Sequence, residues 1–287
     1  MAHLSQIKNR IFTIQKTQKI TKSMRLIAMS FYSKLERQRS MLNAYRQSSQ
    51  TLTQLIYQGK ATIPPAFTKV STGTKSHTLI IVCSSAKGLC GGLNNNLIRF
   101  FERSLIATKG SQNSFIAIGQ KSCSYLQEGR HGTIIEHIPE YHFNTLDSIV
   151  NTILNHILAD PAKYTSVAIF YTHLKNFFLQ IPQKQDILPI IEQQPAAENQ
   201  KKVNYSNYLW EQGPAVLGAA LIRQHLYSEI IHTLFHNLIS ENAARFIAMD
   251  QSTNNATKYL EALNLTYNKS RQNIITREIS ELSSNFD

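Results

Sequence analysis

Apolar residues recur at steps of three and four near the start of the chain, at Leu4, Ile7, Ile11 and Ile14, then at Ile20, Met24, Ile27, Phe31 and Leu35. That spacing predicts a long helix with a coiled-coil seam, shifted once in phase between Ile14 and Ile20. A second run, Leu217, Leu221, Ile231, Leu234 and Leu238, continues through Ala244, Ile247, Ala248, Tyr259, Leu263 and Tyr267. It predicts a matching helix at the other end, its seam thinner and more polar between Glu241 and Asn255. Glycine and proline are absent from Met1 to Gln58 and from Ala219 to Asp287, so no helix breaker interrupts either segment. At 1.5 Å per residue each helix would extend roughly 85 to 100 Å. Two such helices at opposite ends pair most simply as an antiparallel coiled coil. The competing reading lays two amphipathic helices over one face of an ordinary domain.

Between them the period changes. Short β-branched runs at 78–83, 114–118, 133–138 and 165–171 predict strands, and 94–105, 120–127 and 144–158 predict the helices between them. Strand alternating with helix argues for a small α/β domain on a largely parallel sheet. The polar stretch 192–206 reads as a loose connection to the last helix. The organisation expected is thus a helix over 1–60, an α/β domain with its linker over 61–207, and a helix over 208–287.

Charge sharpens this picture. The 287 residues carry a formal +12 and a pI near 9.6. Residues 1–60 hold eleven basic side chains against Glu36 alone, while 211–287 is slightly acidic. An anionic partner is implied. Three cysteines form neither a disulfide framework nor a CxxC pair, which fits a reducing compartment. No apolar run approaches the roughly 18 residues of a membrane helix.

The densest local motif is SSAKGLCGGLNNN at 84–96, directly after the first predicted strand. Glycines there can bring backbone N–H groups to a phosphate at a helix start, but both GxxxxGK[ST] and GxGxxG are missing. A tight strand-to-helix turn at Lys87, Gly88, Gly91 and Gly92, with Asn94 as N-cap, is the plainer reading. His232 and His236 lie four apart with Glu229 a turn earlier, yet HTLFH lacks the internal glutamate of HExxH. Solvated or partner-facing histidines are expected instead. Neither a GxSxG motif nor a paired-carboxylate constellation is present in the α/β region, so no catalytic site and no cofactor are expected. The basic N-terminal segment admits three readings: a transit peptide, a nucleic-acid-binding helix, or a basic shaft beside an acidic protein surface. The seam continues past Leu35, unlike a cleavable leader, and the segment is poor in aromatics for nucleic acid.

Three blocks carry a family resemblance: IKNRIFTIQKTQKITKSMRLIA at 7–28, KGLCGGLN at 87–94, and SENAARFIAMDQSTNNATKYLEALNLTYNKSRQNIITREISEL at 240–282. In order and spacing they resemble the gamma subunit of F-type ATP synthase over essentially the whole chain. The resemblance implies a rotor shaft of two antiparallel helices within a ring of alpha and beta subunits. It also implies a Rossmann-like α/β domain at the foot, beside the epsilon subunit and the c-ring, and a non-catalytic role in a proton-translocating complex. It places the protein peripherally on the cytoplasmic face of a bacterial inner membrane, with the family pattern beginning too early for a transit peptide. Carried over by motif, Lys22, Met24 and Arg245 would meet the beta subunits, and Arg271, Gln272, Thr276, Glu278, Ser280 and Glu281 would contact the ring. By spacing alone Met24 reads as seam. A diverged paralogue serving another complex, or a basic coiled coil on nucleic acid, are the alternatives.

Departures from the family are local. Ala86-Lys87 stands where the family has Asp-Arg, removing any ion pair or turn cap made by that Asp, and Met29, Ser30, Phe31 and Tyr32 are bulkier than the family's residues. The cysteine-bearing insertion of the chloroplast form is missing, so thiol regulation is not expected, and Cys90 reads as a small buried residue.

Overall fold

A computed structural model describes residues 2–58, 67, 77–106, 112–129, 132–160, 163–190 and 214–284. The expected linker at 192–206 lies outside the described residues. Packing divides the chain into two compact units, one of Met1–Ser30 with Arg245–Asp287 and the other of Phe31–Ala244.

The first unit is a pair of helices, the beginning of α1 (Ala2–Gln58) and the end of the last helix, α5 (Pro214–Ser284). Pro214 opens α5 where a helix needs no N–H donor. Burial on α1 follows an unbroken heptad ladder through Leu4, Ile7, Ile11, Ile14, Gln18, Thr21, Arg25 and Ala28. The matching ladder on α5 is Met249, Thr253, Ala256, Leu260, Leu263, Tyr267, Ser270 and Ile274. Gln18 bonds Thr257, Thr21 bonds Thr253, and Arg25 bonds Asp250, so numbers rise on one helix as they fall on the other. The pair is therefore antiparallel, as expected. The phase shift is not observed. Ile20, Ile27 and Phe31 are exposed at 59%, 55% and 56%, and Tyr259 at 49%, because polar residues rather than these apolar ones hold the seam.

The second unit is built on a five-stranded sheet in the order β3-β2-β1-β4-β5. Its strands are β1 (His77–Cys83), β2 (Gln112–Ile118), β3 (Thr133–Ile138), β4 (Ser166–Asn176) and β5 (Leu179–Leu188). The first four pair in parallel, and β5 joins β4 as an antiparallel edge. Helices α2 (Leu93–Ile106) and α3 (Gln120–Gly129) lie on one face, where Leu97, Phe101 and Leu126 pack on Val82, Phe115 and Phe170. On the other face α4 (Leu146–Leu158) and parts of α1 and α5 pack through Leu35, Ile153, Leu226 and Phe235 onto Leu79, Ile81 and Ile169. Buried on both faces, β1 shows the continuous apolar run that a central parallel strand requires. Among the described residues, no helix is long and apolar enough to cross a membrane.

Candidate functional site

Three arrangements carry the chemistry of this chain. The first is the helical pair. Lys22 is exposed and Met24 half-buried one step off the ladder, so Met24 is not a seam residue. Arg245 is half-buried; Arg271, Gln272, Thr276, Glu278 and Ser280 are exposed on α5, where the Thr276 hydroxyl donates to the Gln272 carbonyl at 3.0 Å. The side chain of Glu281 lies outside the described residues. These α5 positions present a helical surface of charged and polar groups.

The second arrangement is the glycine-rich loop. A parallel sheet of this order has its topological switch point between β1 and β4, the crevice where doubly wound sheets bind ligands. Here α5 occupies it. Asn237 Oδ1 accepts from the Thr172 N–H at 3.0 Å, and its Nδ2 donates to the Ser84 carbonyl at 3.1 Å and to the Tyr141 hydroxyl at 2.6 Å. Ser240 donates to the Thr172 carbonyl at 3.0 Å. The Glu241 carboxylate, 3% exposed, accepts from the N–H groups of Ala86 at 3.2 Å and Lys87 at 3.4 Å. Loop donors of the kind that elsewhere meet a phosphate thus face a carboxylate of the same chain.

The loop geometry corrects two sequence expectations. Positive φ falls at Leu89 (64°) and Gly91 (60°), so the left-handed turn uses a leucine as well as a glycine, while Lys87, Gly88 and Gly92 are exposed positions around it. Asn94 sits inside α2 rather than capping it: its Oδ1 accepts from the Ser85 N–H at 3.0 Å and its Nδ2 donates to Ser85 Oγ at 2.7 Å. The side chain ties the loop to β1 instead of closing the helix. Cys90 is buried, as expected.

The third arrangement was not legible as such. His232 and His236, expected at the surface, are buried at 5% and 2% exposure. His236 stacks on His173 of β4 with centroids 4.4 Å apart and lies 4.4 Å from the His232 ring. The Nδ1 atoms of His173, His225, His232 and His236 are buried with no hydrogen-bond partner. Glu229, a turn before, is buried and forked by Arg46 of α1 at 3.0 and 2.8 Å, with Gln50 donating at 2.8 Å. Burial works to raise the Glu229 pKa, but Arg46 and Gln50 outweigh it and hold the carboxyl below its ordinary value. Burial, with neighbouring cations and imidazoles adding to it, lowers His232 to about 4 and His236 to about 2. Hydrophobic spacing favours helix there, but burial of the histidines follows from contact with β4 and α1, which lie far away in sequence. No group of three or more His, Cys, Asp or Glu among the described residues is placed to hold a metal ion.

The arrangement has recognisable relatives. The profile of the family described as ATP synthase matches residues 3–287. An ATP synthase gamma chain of Rickettsia typhi is 31% identical over 298 aligned residues, covering 98% of this chain and 98% of the relative. One from Methylobacterium nodulans is 29% identical over 296 aligned residues, covering 99% and 98%. In fold the chain is similar to a chain of the Euglena gracilis mitochondrial ATP synthase, OSCP/F1/c-ring assembly, with a TM-score of 0.70 and 14% identity across 99% of this chain and 94% of that one.

Proposed function

Because this chain belongs to the ATP synthase family as a gamma chain, we propose that it is the central-stalk rotor of a proton-translocating F-type complex. It has no active site of its own and couples ring rotation to nucleotide exchange at the beta subunits. The observation that carries this reading is the antiparallel helical pair: two heptad ladders in continuous register, on a chain whose first sixty residues are strongly basic. An asymmetric shaft of this kind presents a different face to each of three identical beta subunits. Differential contact energy is all such an element needs to bias their conformational equilibria, and rotation exchanges the bias.

The proposed partners are the alpha and beta subunits, the epsilon subunit and the c-ring, and no nucleic-acid partner is expected. Lys22, Met24 and Arg245 are proposed to face beta loops, and Arg271, Gln272, Thr276, Glu278, Ser280 and Glu281 the ring of alpha and beta subunits. Single exposed charge contacts contribute little, so the basic segment acts through many together. The protein works at a membrane through its complex, on the cytoplasmic face of a bacterial inner membrane. For this function the useful division of the chain is helix 1–60, domain 61–207 and helix 208–287.

The test is size-exclusion chromatography with an ATPase readout after mixing the chain with alpha and beta subunits of the same source. One large complex with activity above that of the mixture lacking the chain supports the rotor. A well-folded chain that elutes alone refutes it. Arg245→Ala should weaken coupling in that complex more than it weakens folding; a large drop in melting temperature with unchanged coupling would show the opposite.

A further inference from the structure

Three polar contacts link the two helices along the seam of the first unit. Gln18 Nε2 donates to Thr257 Oγ1 at 2.8 Å, Thr253 Oγ1 donates to Thr21 Oγ1 at 2.9 Å, and Arg25 meets Asp250 at 2.5 Å. Thr21 and Thr253 are each 8% exposed, so that pair lies within the seam, while Arg25–Asp250 is part-buried and Gln18–Thr257 is exposed along its edge. An apolar ladder is nearly indifferent to a slide of one heptad, because isoleucine then meets leucine and only packing detail changes. A polar seam residue is not indifferent, since its partner must follow it. One heptad in one direction brings Thr21 to Leu260 and Arg25 to Thr257; in the other it brings Thr21 to Phe246 and Asp250 to Gln18. Each slide puts leucine or phenylalanine against Thr21, whose hydroxyl keeps only the Gln18 carbonyl of its own helix as Thr253 keeps that of Met249, and parts the carboxylate from its guanidinium.

We propose that Gln18–Thr257, Thr21–Thr253 and Arg25–Asp250 form a register lock, which holds the helical pair in one axial alignment so that torque is not lost by one helix sliding past the other. The lock's use rests on the rotor reading; its geometry does not. These are positioning residues, separate from those assigned to partner contact. Apolar residues in their place would give at least equal stability, since replacing polar or ionic seam groups by well-packed apolar ones is often neutral or stabilising. What they supply is alignment.

The experiment uses the full chain with spin labels at Lys8→Cys and Asn255→Cys, both exposed helix positions, the native cysteines being buried. In the native register the labels are offset by about 18 Å along the axis, and a one-heptad slide moves that by about 10 Å. The locked chain gives one distance. Replacing Gln18, Arg25, Asp250 and Thr257 by Leu and Thr21 and Thr253 by Val should introduce shifted distances, their share rising about tenfold per contact removed, without a lower melting temperature. With the other four replacements kept, Arg25→Asp and Asp250→Arg in place of the two leucines restore an ion pair of opposite sense and should return the single distance. Thr21→Val with Thr253→Val alone tests the same point with the least perturbation. A single unshifted distance in both variants overturns the lock, and so does a lower melting temperature with no change in distance. In the assembled complex the sixfold variant should pump fewer protons per ATP hydrolysed, and an unchanged ratio overturns the lock's role in torque. If the unsubstituted chain fails to assemble at all, the rotor reading falls while the distances still decide the lock.

Discussion

Acidification should loosen the domain through His232 and His236. Both titrate below the ordinary 6.5 in the fold, at about 4 and about 2, because burial and the cations around them disfavour a charged ring. The neighbours are Arg39 and Arg46 from α1, His173 from β4, and Glu229 with His225 on α5 itself; Glu229 favours the charged ring but does not prevail. For groups depressed in this way the stabilisation is complete above the unfolded value and is lost as pH falls from about 6.5 toward the folded values. At pH 5 both remain neutral in the fold while the unfolded chain has bound nearly one proton at each site. The loss is then about 2 kcal/mol per histidine, about 4 kcal/mol for the two, and depends little on how far below 5 the folded values lie. Urea unfolding of the full chain, followed by near-ultraviolet circular dichroism at pH about 7.5 and about 5, measures it. His232→Leu with His236→Leu removes both sites at the loss of one long Arg46–His232 Nε2 contact, and the variant should lose about 4 kcal/mol of the acid sensitivity, keeping what His173 and His225, also depressed by burial, contribute. Equal stability of the unsubstituted chain at the two pH values, or undiminished acid sensitivity in the double variant, refutes the reasoning.

Other perturbations test the loop and the tail. Glu241→Ala strands the Ala86 and Lys87 N–H groups beneath α5, and should cost about 2 to 4 kcal/mol in urea unfolding with faster amide exchange at both positions. Gly119→Ala places a Cβ 2.5 Å from the Ser84 carbonyl oxygen at a φ of +91°, and should cost about 3 kcal/mol or more, read as a lower melting temperature. Leu89→Gly relieves a left-handed φ at an exposed leucine and should raise stability by about 1 kcal/mol by denaturant midpoint. Removing Thr276 to Asp287 should leave the melting of the α/β sheet unchanged while reducing ATPase stimulation in the complex.

The long helices and the parallel strands were readable because their signals are local. Val82 and its neighbours form an uninterrupted apolar run, and nothing breaks α1 before Gln58. The edge strand Leu179–Leu188 escaped notice because its polar and apolar residues follow no simple alternation, and it contains a proline that only an edge tolerates. The seam was misplaced for a related reason. A count of apolar residues passes over Gln18, Thr21 and Arg25, moves to the nearby Ile20 and Ile27, and invents a phase shift to do so. The positions are settled by partners more than two hundred residues away, which no local pattern contains. His232 and His236 show the same limit: their type suggested water, and contact with β4 and α1 buried them. The glycine-rich loop was recognised as a turn, but the carboxylate that fills it comes from Glu241 on another element.

That carboxylate changes what the sheet responds to. A diffusible ligand at a switch point reports its own concentration, leaving when it becomes scarce. Glu241, with Asn237 and Ser240, is tethered to the crevice by the peptide chain itself, so dilution never empties it and no metabolite level sets its occupancy. Only mechanical load or unfolding can pull it out. A pocket that in another protein would act as a sensor acts here as a weld.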